Sequence, residues 1–413
     1  MLKELKQREA EGNPIRVGLV GAGAMGLGIA LQIGKTPGME LVFVADYREQ
    51  AARAAEAAYG GEVEVGADAT SLIEKHAERM DVFVEATNTI GPAADYCLAA
   101  LEAGAHVVLM NAEVDLMLGR YLARIGEEKG LVVTSDAGDQ HGVLVRMCEE
   151  IEMWGFDLVQ VGNIKGFLDR YATPESIRDE AEQRHLSPVQ CCAYTDGTKL
   201  SIEMALVANA TGTIPLQPGM VGPVCDSVNE VLDYFNFDQY GDQGRVDYIL
   251  KAVPGGGVYV VARSDDPLQA RYMDYYKMGK PPYYVFYRPY HLCHLETPRA
   301  IALAALWDKP VLTQEHGRLT DVFTYAKRDL KAGELIEEGI GGDAVYGLID
   351  ATANGEANDQ IPIGLLEPSG EEKGRVKRDV AKDQIVTFAD VELPGTRLVE
   401  LFNLQQEQIG NGK

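Results

Sequence analysis

Two stretches of the chain hold residue types at spacings that could do chemistry. In "TDGTKLSIEM" (195–204) Asp196 precedes a run that continues through "ALVANATG" with the spacing of an amphipathic helix. Asp196 reads as its N-cap, with a carboxylate that can accept from the open N–H groups of the first turn. Lys199 follows at the end of the helix where the dipole favours anions, so its placement there is unfavourable. Together with desolvation, that placement disfavours the ammonium form and suits a lysine that exchanges a proton near neutral pH. The plainer alternative is an exposed Lys199 paired with Glu203, four residues on.

The second stretch is "GAGAMG" (21–26), directly after the apolar run "IRVGLV". In a strand–turn–helix, Gly21 permits the tight turn and Gly23 lets the backbone approach a pyrophosphate. Gly26 lets the helix pack close to the strand, and Ala24 and Met25 complete the loop. Asp46 comes twenty residues after Gly26, at the end of the next apolar run, where a carboxylate binds the ribose hydroxyls of NAD. Arg48 could instead take the 2′-phosphate of NADP, so both cofactors stay open.

The apolar runs 15–20, 40–46, 81–87, 106–111, 131–137 and 157–163 alternate with helical patterns. Continuous apolar strands between helices imply a parallel sheet covered on both faces, an α/β Rossmann domain over residues 1–160. Ligands bind outside the carboxyl ends of such strands. Those ends carry Ala86 and Thr87 in "EATNT", Asn111 in "MNAEVD", and Asp136 and His141 in "SDAGDQHG". The first is expected beside the nicotinamide ribose and the last beside the substrate, although Asp136 and Asp139 also suit a turn and an N-cap.

From 161 to 322 the pattern changes, and a central α+β domain is expected, to which the resemblance described below assigns catalysis and oligomerisation. Lys165, Asp169 and Arg170 in "NIKGFLDRYAT" are candidates for the substrate pocket; the basic pair suits a phosphate, and surface charge is the alternative. The aromatic stretch "PPYYVFYRPYHLCHLETP" (281–298) reads as a sheet wall or a subunit interface. His291 and His294, with Glu296 nearby, lack the third placed ligand that a metal site requires. In 323–413, "AKRDLKAGELI" and "VKRDVAKDQIV" are near-copies fifty residues apart. With the β-like pieces "AVYGLID", "IPIGLLE" and "TRLVELFNL" they suggest a small pseudo-symmetric β module. Lys327, Arg328, Lys377 and Arg378 are expected at its surface, or at an anion site.

Composition narrows the function. The formal net charge of −25, from 38 basic and 63 acidic residues, argues against nucleic-acid and anionic-membrane partners. It leaves room for an anionic small molecule in a local basic pocket. The start "MLKELKQREAEGNP" has no apolar signal core, and six cysteines without a paired framework read as reduced thiols. A cytoplasmic location is therefore expected.

The order "GAGAMG", "VVLMNAE", "GFLDRYAT" and "DGTKLSIEMALVANATG" resembles homoserine dehydrogenase. The resemblance implies a dinucleotide domain, a mixed α/β catalytic domain, and a catalytic role for Lys199 in proton transfer, with Asp196 at the same helix start. Two departures stand out: the position of that family's second lysine is Ala112, and its small-residue and threonine run is replaced by Asp169, Arg170 and Tyr171. The repeated segment is similar to a SAF (β-clip) domain. The combination resembles the group of deoxyxylulose-phosphate reductoisomerase-like oxidoreductases.

That likeness implies an NAD(P)-dependent oxidoreductase, with reduction and isomerisation of 1-deoxy-D-xylulose 5-phosphate to 2-C-methyl-D-erythritol 4-phosphate, in isoprenoid biosynthesis, as the leading reading. A divalent metal (Mg or Mn) would assist, and a homo-oligomer (dimer or tetramer) is implied. The alternatives are a plain dehydrogenase of a small hydroxy acid or polyol, and a dinucleotide-binding sensor without chemistry.

Overall fold

The computed structural model describes residues 1–184, 186–241, 243–410 and 412, and the chain divides into two units. The first takes in Met1–Gly142, Leu292–Thr313 and Arg397–Gly410; the second takes in Val143–His291 and Gln314–Thr396. The units interleave along the chain, unlike the three consecutive blocks 1–160, 161–322 and 323–413.

The first unit is built on six strands: β1 (Ile15–Val20), β2 (Met39–Ala45), β3 (Glu64–Gly66), β4 (Val82–Glu85), β5 (His106–Leu109) and β6 (Val133–Ser135). They lie in the order β3-β2-β1-β4-β5-β6 with every pairing parallel. This is the doubly wound order of dinucleotide-binding sheets, with its switch point between β1 and β4. Ile15, Val17 and Leu19 on β1 and Val82 and Val84 on β4 are fully buried. Strands covered on both faces have no polar face to alternate with, hence the continuous apolar runs. The short edge strand β3 has no such run and gives no signal in the sequence.

The run 157–163 does form a strand, β7 (Asp157–Lys165), but in the second unit. There it joins β8 (Ile214–Pro215), β9 (Arg245–Leu250), β10 (Val258–Arg263) and β11 (Tyr283–Arg288) in the order β11-β10-β7-β9-β8. β7 runs antiparallel to β10 and parallel to β9, so the sheet is mixed. The aromatic stretch supplies the edge strand β11, whose Tyr284 is fully buried. It is the sheet wall anticipated for it.

Helix Thr198–Thr211 also belongs to the second unit, and every residue from Thr198 to Asn209 is buried. It is not amphipathic: it lies against β9 and against the pair β12 (Thr320–Ala326) and β14 (Val345–Ala351), and is covered all round. Its polar residues Lys199, Ser201, Glu203 and Asn209 are therefore inside the fold.

The remaining strands are β13 (Leu335–Ile336), β15 (Gly374–Val376) and β16 (Val391–Glu392), in the order β13-β15-β16. The two near-copies interlock about a pseudo-twofold axis. Gly333 N donates to Val376 O and Asp383 N to Ala326 O; Leu330 and Val380 exchange both backbone bonds. Asp379 accepts from Ala332 N and Asp329 from Lys382 N, each at 2.9 Å. Two of the expected β-like pieces are not strands. Ile363–Leu366 is a 3₁₀ turn, and Arg397–Ile409 is a helix in the first unit. Its buried residues Leu398, Leu401, Phe402 and Gln405 have the helical spacing i, i+3, i+4, i+7. No helix among the described residues is long and apolar enough to cross a membrane.

Candidate active site

In the first unit the turn after β1 is shaped around backbone. Gly21 has φ +93°, and a Cβ there would stand 2.4 Å from the carbonyl group of Ala86. A Cβ on Gly26 would meet Gly21 O at 1.8 Å, whereas one on Gly23 would meet nothing within 4 Å. Gly21 and Gly26 are thus needed by the fold, and Gly23 leaves open the space a pyrophosphate would fill. Helix Ala24–Lys35 begins there, with Gly23 as its N-cap, and directs the free amides of its first turn at that space. Ala24 and Met25 are its first residues. These residues fit a dinucleotide.

Asp46 follows β2 directly and is buried, accepting from Ala22 N at 2.8 Å and from Arg48 N at 2.9 Å. It braces the glycine turn as well as offering an acceptor to a ribose. Arg48 is half exposed, its guanidinium 5.2 Å from the Tyr47 ring centre and its Nε 3.4 Å from Asp46 Oδ1.

The other strand ends of this unit hold buried acids. Glu85 closes β4, and its Oε1 accepts from Thr87 N at 2.8 Å, next to Ala86. Burial pushes its carboxyl up to about 7. Asn111 caps helix Ala112–Glu128 through Glu113 N and Val114 N, and donates to Thr89 O at 2.7 Å. Asp136 follows β6 fully buried, and its Oδ2 accepts from Gly138 N at 2.7 Å and Asp139 N at 3.1 Å. Burial raises it too to about 7. His141 is buried, its Nδ1 3.9 Å from Asp139 Oδ2. The turn and capping geometry around Asp136 is the plainer of its two readings.

In the second unit, Lys199 lies in the first turn of the buried helix and is 8% exposed, so the exposed pairing does not apply. The N-cap is not Asp196 but Gly197, at φ +86°. Asp196 itself ends the preceding helix Pro188–Thr195, which leaves the left-handed break to the next residue, a glycine. Its carboxylate still serves the new helix: Oδ1 accepts from Thr198 N at 2.8 Å. Oδ2 pairs with Lys327 Nζ at 2.8 Å, both side chains buried. Burial pushes the Asp196 carboxyl up, and the Lys327 ammonium opposes this. Lys327 is not at the surface expected for it.

Lys165, at the end of β7, places Nζ 3.8 Å from Oε2 of buried Glu203, which stands one turn after Lys199 on the same helix. Asp169 is exposed; its N–H donates to Thr195 O and its Oδ1 accepts from Tyr171 N at 3.0 Å. Arg170 is exposed and packs 5.4 Å from the Tyr346 ring centre.

The first unit therefore brings together Gly21, Gly23, Ala24, Met25, Gly26, Asp46 and Arg48, and also holds Ala86, Thr87, Asn111, Asp136 and His141. The second holds Lys165, Asp169, Arg170, Asp196 and Lys199. Sequence reasoning missed Glu85, and it named Lys327 but not its burial against Asp196. A charge that ends the otherwise apolar "VFVE" could have marked Glu85; Lys327 sat in a repeat whose other copy is exposed.

Two family models match the chain. The model described as the catalytic domain of oxidoreductase DRL matches residues 138–297, and that described as the NAD-binding domain of homoserine dehydrogenase matches residues 21–131. The chain is thus similar to NAD(P)-dependent, homoserine dehydrogenase-like oxidoreductases. No curated protein matches it. Among solved structures, a homoserine dehydrogenase from Thiobacillus denitrificans is 14% identical over 84% of this chain and 93% of that chain, with a TM-score of 0.45. A putative myo-inositol dehydrogenase from Sinorhizobium meliloti 1021 is 17% identical over 61% of this chain, with a TM-score of 0.34. One from Corynebacterium glutamicum is 15% identical over 61% of this chain, also with a TM-score of 0.34. The chain spans 66% and 65% of the lengths of these two inositol dehydrogenases.

Proposed function

We propose that this chain is an NAD(P)H-dependent oxidoreductase acting on the carbonyl of a small phosphorylated or polyol compound. Reductive isomerisation of 1-deoxy-D-xylulose 5-phosphate to 2-C-methyl-D-erythritol 4-phosphate is its best candidate reaction. The observation that carries the reading is Lys199, a buried lysine in the first turn of a helix covered on every face. A buried ammonium needs polar partners, so its place there is set by polar chemistry and not by packing.

When bound, the cofactor supplies hydride at nicotinamide C4. Lys199 Nζ gives a proton to the carbonyl oxygen as the carbon is reduced, and takes it back in the reverse direction. Lys165, beside Glu203, and Arg170, above Tyr346, offer cationic groups to a substrate phosphate. Asp196, just before this helix, pairs with Lys327, and Glu203 within it faces Lys165, so no role as a cation ligand is assigned to these two carboxylates. The repeated C-terminal segment is read as a SAF-like module, and the assembly as a cytoplasmic homo-oligomer.

The test is oxidation of NADPH and NADH with 1-deoxy-D-xylulose 5-phosphate, with and without Mg²⁺ or Mn²⁺, for the native chain and Lys199→Ala. The expected result is turnover that falls by roughly 10²–10⁴-fold in the variant, with nucleotide binding unchanged. Branched carbon in the product separates isomerisation from plain dehydrogenation. Tight nucleotide binding without turnover on any polyol phosphate or hydroxy acid would favour the sensor alternative, to which Ala112 at the expected lysine position also points.

A further inference from the structure

Lys327 and Lys377 occupy equivalent places in the two near-copies, and the surrounding backbone obeys the pseudo-twofold relation closely. Their side chains do not. Lys377 is exposed and donates to Phe388 O at 2.7 Å. Lys327 is 3% exposed, and its ammonium donates to Ala172 O at 2.8 Å, Asp196 Oδ2 at 2.8 Å and Gly342 O at 2.7 Å. An ammonium has three donors, and three oxygens take them all. None is left for a ligand.

Those oxygens come from three separate segments. Ala172 closes the loop that carries Asp169 and Arg170, a loop also tied to Thr195 O through Asp169 N. Asp196 is the residue whose other oxygen holds Thr198 N, directly before Lys199. Gly342 belongs to the C-terminal module itself. We infer that Lys327 is a positioning residue that clamps the Asp169–Arg170 loop to the turn launching the Lys199 helix, and so ties the C-terminal module to the reaction site. The inference rests on the reading of Lys199 given above. Lys327 lies outside residues 138–297, the span matched by the catalytic-domain model.

A merely structural buried ion pair would give the same contacts, so the test needs a readout that separates the two. Burial raises the Asp196 carboxyl and Lys327 opposes it; the other titratable group facing it is Cys192, with Sγ 4.0 Å from Oδ2. Without the ammonium, Asp196 takes up a proton at higher pH and loosens its hold on Thr198 N. The acid limb of kcat then moves up in pH.

The experiment compares Lys327→Met, the double variant Asp196→Asn/Lys327→Met and the control Lys377→Met in the full chain. Amide hydrogen exchange, which needs no substrate, is followed with the pH profile of kcat. Lys327→Met is expected to speed exchange at 169–173 and 196–201 together while leaving β7 and β10 protected. It should lower kcat by about 10²-fold, as a misplaced catalytic group does, and shift the acid limb up. Lys377→Met should change none of these. If Lys327→Met does not fold, the double variant, which leaves no unpaired buried charge, is expected to show the same local exchange and the same loss of kcat. Native exchange at the two segments, or native kcat and pH profile, in either folded variant would overturn the clamp. Turnover by the native chain with an unaltered variant sinks the clamp and leaves the proposed function standing. Absent turnover with local loosening does the reverse.

Discussion

The carbonyl oxygen of Gly21 stands 1.8 Å from where a Cβ of Gly26 would be, so the first turn of the cofactor helix rests directly on the turn that precedes it. Gly23 lies between them with open space at its own Cβ position. The three glycines of one motif thus answer to different demands, and substitution separates them. Gly26→Ala must push the helix off the turn and is expected to lower the melting temperature by many degrees. Gly23→Ala, at φ −69°, should fold as the native chain does. Its methyl would occupy the open space and raise the Kd for NADH and NADPH by about tenfold or more, read by nucleotide fluorescence. Equal losses of stability in both variants would contradict this division.

Arg48 and Asp46 set up a second contrast. Asp46 is buried and holds Ala22 N and Arg48 N, whereas the Arg48 side chain reaches into solvent. Arg48→Ala should therefore leave stability unchanged. If the guanidinium meets a 2′-phosphate, NADPH affinity falls by roughly tenfold or more, the worth of a charge-assisted hydrogen bond, and NADH affinity stays put. Isothermal titration with both nucleotides decides it, and parallel changes for the two would assign Arg48 no part in selection.

Much of the first unit was legible because its chemistry is local. Strands buried on both faces read as apolar runs, and the glycine motif with Asp46 lies within one βαβ stretch. What escaped depended on distance. An apolar run such as 157–163 announces a strand but not the sheet it joins, and β7 pairs with β10 nearly a hundred residues later. The burial of Lys199 is decided by β12 and β14, which cover a face that local spacing left open. Lys327 meets Asp196 across 131 residues, and nothing in "AKRDLKAGELI" distinguishes it from its exposed copy. The helix Arg397–Ile409 was misread for another reason. A short apolar stretch such as "TRLVELFNL" does not by itself separate strand from helix, and the period of its buried positions is helical.

Glu85 and Asp136 make the stability of the first unit fall with rising pH. Burial raises both carboxyls from ordinary values of 4.5 and 3.8 to about 7. A folded-state value above the unfolded one means that the folded chain holds the proton more tightly. The stabilisation is complete below about pH 4 and is lost as pH rises through about 7, by on the order of 3 kcal/mol for each group. Glu85→Gln keeps an acceptor for Thr87 N and removes the titration. It should raise the thermal midpoint at pH 8 relative to the native chain and change it little at pH 4. A native-like slope of stability with pH in Glu85→Gln would show that the carboxyl ionises without penalty.

The pseudo-twofold relation between Asp329 and Asp379 gives the last prediction. Each accepts from the backbone of the opposite copy, at Lys382 N and Ala332 N, so Asp329→Ala and Asp379→Ala should lower the melting temperature by similar small amounts. Their surroundings differ. Lys382 Nζ lies 3.5 Å from the Tyr171 ring centre, and its neighbour Asp383 accepts from Tyr171 Oη at 3.0 Å and Tyr346 Oη at 3.1 Å. Tyr346 is the ring beneath Arg170. Loosening Lys382 and Asp383 therefore disturbs the loop assigned to substrate, whereas Lys331 and Ala332 lie on the exposed side of the module. Asp329→Ala is expected to raise KM for the substrate several-fold with nucleotide affinity unchanged, and Asp379→Ala to leave both alone. Steady-state kinetics on the two variants checks this, and equal KM values would confine the repeat to a structural role at that loop.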